Sequence, residues 1–172
     1  SAPRVEEPLA WSEVEEALKT LREEQVTEPE PIVALEKKLE SLRAQPERSW
    51  YTQSSLEAGE SLHRETATGL ARLERDLRQA EGALAQAAAT GTPEAVSQWA
   101  EALKALQSGA LPLNAKDLER LQAFQPGNGS PPSAEALRQM LDELRQQAGQ
   151  AAQALGSAEA ALAALEATAR QP

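Results

Sequence analysis

From Leu137 to Ala169 the apolar residues recur at strictly alternating steps of four and three: Leu137, Leu141, Leu144, Ala148, Ala151, Leu155, Ala158, Leu162, Leu165 and Ala169. Such a repeat places all of these side chains on one stripe of a single helix. A stripe of that period is buried by other helices packed at a shallow left-handed crossing. A strand, whose side chains alternate faces with a period of two, cannot use it. A second run, Leu56, His63, Thr66, Leu70, Leu73, Leu77, Ala80, Leu84 and Ala87, predicts another long helix with Gly59 at its weak point. The chain is therefore expected to be all-α with coiled-coil-like packing.

Composition enters only to close the alternatives. Of 172 residues, 34 are Ala, 24 Leu and 24 Glu, all strong helix formers, whereas Ile and Val together number six. β-Branched and aromatic residues fill pleated surfaces, so a sandwich, barrel or parallel sheet has too little material. The aromatics are five: Trp11, Trp50, Tyr51, Trp99 and Phe124.

Breakers divide the chain into six helices. The first is predicted over 12–26, opened by a capping box of Ser12 and Glu15 and supported by the Glu15–Lys19 pair. Thr27-Glu28-Pro29-Glu30-Pro31 stops it. The second, with Ile32, Leu35, Leu39 and Leu42 at helical spacing, runs to about 44, where Pro46 follows. The third spans about 55–89. Thr90-Gly91-Thr92-Pro93 is a break in which Gly91 suits a left-handed C-cap, Thr92 an N-cap and Pro93 the first helical position. The fourth, 93–108, carries Val96, Trp99, Leu103 and Leu106. The fifth, 115–124, is capped by Asn114 between Leu113 and Leu118. The breaker-rich stretch 125–133 reads as a flexible loop, and Ser133 caps the sixth helix, 134–170.

Helix lengths suggest a topology. At about 1.5 Å per residue the third and sixth helices are each on the order of 50 Å long, and only the fourth and fifth together nearly span that distance. The expectation is an elongated up-down-up bundle. Its two long helices, 55–89 and 134–170, would run parallel, joined by a broken return arm of 93–108 plus 115–124. Residues 1–11 are taken as an N-terminal extension to one domain over 12–172, with the helix pair 12–45 packing along the 55–170 bundle or at its base. The uncharged stretch 146–158 is expected to be covered by another helix.

Function is approached by elimination. There is no cysteine, which removes disulfides, thiol nucleophiles and cysteine-ligated metals. The net charge of −10 has most of its excess acid in residues 1–60 and disfavours nucleic acid and anionic membrane surfaces as partners. No apolar run is long enough to insert in a membrane. His63 is the single histidine. Glu60 and His63 match the Glu-x-x-His spacing of helical metal sites, which require a second such pair. The simpler reading is a seam or partly exposed histidine beside the Glu60–Arg64 pair. No nucleophile elbow or phosphate loop is present, so the chain reads as non-catalytic, with no cofactor and no metal.

The most distinctive segment is 46–55, where Trp50 and Tyr51 stand side by side between helices. Aromatics with polar tips serve as bundle plugs, the reading favoured for this segment, and as interface anchors. Trp50 and Tyr51 are therefore the candidate partner-binding residues. In the plug reading, Trp50 closes the end of the bundle and Tyr51 bonds a neighbouring loop. The chain begins at Ser1 without a signal-peptide pattern. The expected role is a helical interaction or scaffold domain with a protein partner, read as the soluble periplasmic or extracytoplasmic part of an anchored bacterial protein. The alternatives are a cytosolic coiled-coil protein self-associating through its sixth helix, and a bundle holding a ligand or metal at Glu60 and His63.

Overall fold

A computed structural model describes residues 5–126 and 133–169, with side chains as far as Gly156. Among these residues the fold is an all-α bundle of six helices: α1 Leu9–Glu23, α2 Pro29–Arg43, α3 Gln53–Thr90, α4 Pro93–Ser108, α5 Ala115–Gln122 and α6 Ala134–Ala169. One 3-10 turn, Glu47–Ser49, links α2 to α3.

Most helix boundaries follow their local chemistry. The Thr92 hydroxyl accepts from Ala95 N, Asn114 Oδ1 accepts from Asp117 N at 2.9 Å, and Ser133 Oγ accepts from Ala136 N. Gly91 takes φ +62° and closes α3 in the left-handed conformation that a side chain disfavours. The predicted start of α1 is wrong. The helix begins at Leu9 behind Pro8, and the Ser12 hydroxyl donates to the Leu9 carbonyl instead of capping. The earlier start carries Trp11 into the helix, where it is buried in the core, so a boundary at residue 12 cuts through α1.

The long helices are antiparallel, not parallel as their lengths suggested. His63 of α3 meets Leu155 of α6, and nearer the end of α3 Glu81 bonds Arg145 at 2.8 Å, so the two helices run in opposite senses. The error lay in α5. It does not prolong the descending path of α4. Leu113 N donates to the Leu106 carbonyl, and Phe124 then stacks edge-on against Trp99 with ring centroids 6.2 Å apart. α5 has thus doubled back along α4, and α6 starts at the end where α3 finished.

What turns the chain there is a tertiary contact. The α1–α2 loop and the α4–α5 loop pair over a short antiparallel bridge between Thr27 and Leu113. Glu28 N donates to the Pro112 carbonyl, Asn114 N to the Val26 carbonyl, and Asn114 Nδ2 to the Gln25 carbonyl.

α1 lies parallel to the start of α3, Trp11 against Gly59 and Glu13 near His63, while Glu24 reaches Gln147 of α6. α2 returns antiparallel, with Arg43 bonded to Glu7 and Lys38 to Glu65. α1 and α3 together cover the uncharged face of α6, burying Ala148, Ala151 and Leu155. Small alanines permit this close approach at the expense of area per turn.

Two predicted stripes shift. At the base of α3 the buried positions are Ser55, Gly59, Leu62 and Thr66, whereas Leu56 is exposed and His63 is half-buried. There α3 faces α2 as well as α1, which rotates its buried arc by one residue. On α4 the stripe is Ala95, Trp99, Ala102 and Leu106, with Val96 exposed. Residues 127–132 of the predicted loop lie outside the described residues, as do the side chains of Ala158, Leu162, Leu165 and Ala169.

Candidate functional site at the base of the bundle

The 3-10 turn places Trp50 and Tyr51 at the base, beside the first turn of α1. Trp50 is half-buried. Its indole N–H donates to the Gln45 carbonyl at 2.9 Å, and its ring meets Trp11 in a T-shaped contact with centroids 5.2 Å apart. Edge-to-face geometry sets the positive ring edge on the negative face and holds both rings rigidly. Tyr51 is 51% exposed, with its hydroxyl donating to the Glu6 carbonyl. These contacts are those of the plug reading, yet half of Tyr51 still faces solvent. Leu9 is 68% exposed, and Val5 and Leu56 are partly exposed at the same end.

The segment before α1 is fastened rather than loose. Arg43 binds Glu7 through Nε and Nη2 at 2.8 and 2.9 Å, and also bonds Glu15. Burial alone would lower the Arg43 pKa. The hydrogen bonds that Arg43 donates to Glu7 and Glu15, with the charge of those carboxylates, outweigh that and raise it. This bidentate pairing ties Glu7, just ahead of α1, to the last turn of α2.

Glu60 and His63 are not brought together as ligands. His63 Nε2 lies 2.9 Å from the Leu155 carbonyl and 3.3 Å from Glu13 Oε1. Both neighbours are acceptors, so Nε2 carries the hydrogen. His63 bonds the buried Glu13 of α1 and, partly exposed as expected, lines one groove with Glu60 and Arg64. Among the described residues no group of three or more His, Asp or Glu stands close enough to hold a metal ion. A groove of about 680 Å³ between α1 and α2 is lined by charged side chains, among them the pairs Arg22–Glu36 and Arg43–Glu15.

Sequence reasoning missed Glu13, Leu9 and the Arg43 clasp. Glu13 gave no signal because a carboxylate on a Glu-rich helix reads as solvated. Leu9 was hidden by placing the helix start too late. Among the described residues, no helix is long and apolar enough to cross a membrane. No protein-family model matches the chain, and no curated protein and no solved structure is significantly similar to it.

Proposed function

We propose that the chain is a non-catalytic helical interaction or scaffold domain that docks a protein partner at its base. One observation carries this reading: Tyr51 and Leu9 are each exposed at the base of the bundle, where Trp11 packs on Trp50 and Arg43 clasps Glu7. A preorganised apolar face loses little conformational freedom when it binds. The four-three stripes support coiled-coil-like packing as the source of that rigidity. The acidic surface is consistent with a soluble part of an anchored bacterial envelope protein, and that placement belongs to the same proposal.

Self-association through the sixth helix has less support, because its stripe from Leu137 to Leu155 is already buried inside the chain. The test is proximity crosslinking of the wild type and Tyr51→Ser in source cells, with melting temperatures matched. Partners that disappear with Tyr51→Ser support the reading. An unchanged crosslinked set refutes it.

A further inference from the structure

A cavity of about 380 Å³ lies where the α1–α2 turn meets the start of α5, at the opposite end of α1 from Trp11. Leu21, Ile32 and Val33 line it; the first two belong to the core, and Val33 is exposed. A concavity of this size with a largely apolar lining matches a small organic molecule. Gln25 lines it too and holds φ +53° without being glycine, its carbonyl accepting from Asn114 Nδ2 at 2.9 Å. Backbone strain of that kind persists where the surrounding fold imposes it, and it gathers at ligand sites.

Three charged residues line the cavity: Arg22, Glu28 and Lys116. Arg22 bonds Glu36, and the Glu28 carboxylate accepts from Ala115 N at 3.2 Å. Asp117, next to Lys116, accepts from Asn114 Nδ2 at 2.8 Å and lies 3.9 Å from Arg120. Lys116 is exposed and has no ion pair among the described residues. The uncommitted charge at the cavity is therefore a cation, in a chain whose net charge is −10. An ammonium beside apolar surface complements a molecule with an apolar body and an anionic end. We propose that this cavity binds a small apolar carboxylate, its body on Leu21, Ile32 and Val33 and its charge on Lys116. The site lies apart from the base and does not rest on the docking reading above.

The probes are cinnamate and its neutral counterpart cinnamamide, which share an apolar body and differ in charge. Each is titrated into the full chain and followed by backbone amide shifts in NMR. The shifts are expected to concentrate at Gln25, Val33 and Lys116. Cinnamate should bind about three- to fivefold more tightly than cinnamamide, an advantage that shrinks as salt is raised. Lys116→Ser should erase that advantage, whereas Lys104→Ser, the same charge change on α4, should leave it unaltered. Val33→Ser, at an exposed position that the fold does not depend on, should weaken both ligands by about threefold or more.

Equal affinity of the two ligands, or an advantage that Lys116→Ser and Lys104→Ser reduce alike, would overturn the carboxylate as the occupant. Shifts confined to other residues, or binding indifferent to Val33→Ser, would remove the cavity as the site. No shift from either ligand at millimolar concentration would overturn the proposal outright.

Discussion

Replacing Gly59 by alanine is the sharpest probe of the base. A Cβ there would lie 2.9 Å from Trp11 Nε1 and 3.3 Å from Trp11 Cδ1. Ordinary carbon contacts sit at about 3.5–4.0 Å, so the ring would have to retreat by several tenths of an ångström. It has little room to do so. Trp11 is 1% exposed and stacks on Trp50, which is anchored to Gln45. Overpacking of this kind costs about 1–3 kcal/mol. Alanine's better helix propensity returns up to about 1 kcal/mol. The net expectation is a loss of about 1 kcal/mol.

Gly82→Ala supplies the internal reference. Gly82 lies in the same helix, is exposed, and has nothing within 4 Å of its would-be Cβ. It should gain up to about 1 kcal/mol. The two variants should therefore differ by about 2 kcal/mol, or about 4–8 °C in Tm for a chain of this size. Circular dichroism at 222 nm with heat and urea reads both. In a Trp11→Ala background the ring atoms that clash are gone. Trp11 Nε1 has no hydrogen-bond partner among the described residues, so that change forfeits no bond. Gly59→Ala should become neutral or favourable there, a coupling visible in a double-mutant cycle. If Gly59→Ala and Gly82→Ala stabilise the chain equally, the close approach of Trp11 is not real and the description of the base fails.

Other perturbations test other parts. Trp50→Ala should cost about 2–3 kcal/mol through lost ring packing, and Tyr51→Ser under about 1 kcal/mol, in urea titrations. Gln25 holds φ +53° without being glycine, so Gln25→Gly should raise stability by about 0.5–1 kcal/mol; a lower Tm would argue against strain at that turn. Asn114→Ala removes the α5 cap together with the bonds to the α1–α2 loop, and should cost about 2 kcal/mol, with increased amide exchange at Val26 and Leu113. The Glu135 pKa is lowered by its hydrogen bond to Arg138 and then by that residue's charge. The contribution of this pair is present above the ordinary glutamate range and fades as pH falls through the depressed value. Arg138→Ala should move the Glu135 carboxyl titration upward in carbon-detected NMR, with little change in Tm because the pair is fully exposed.

Local chemistry by itself determined the helices and most of their ends. Thr92, Gly91, Pro93, Asn114 and Ser133 act within a few residues of themselves, so their roles could be read without a fold. The four-three spacing on α6 likewise marked Leu137 to Leu155 as core, since periodicity defines a face whatever covers it. For the candidate site, the sequence singled out Trp50 and Tyr51 by their rarity, and the structure put them at the base with both plug contacts made.

Direction and partnership were decided only in three dimensions. Helix length cannot tell whether α5 continues α4 or reverses. The answer came from Thr27 and Leu113, 86 residues apart in the chain, pairing across two loops. The same holds for Glu13, which looks like a solvated acid on α1 until α3 brings His63 against it. It holds also for Trp11, whose place depends on the absence of a side chain at Gly59. Each is a contact between segments remote in sequence. A heptad stripe specifies that a face will be covered, and leaves to the packing of the whole bundle which helix covers it and in which direction that helix runs.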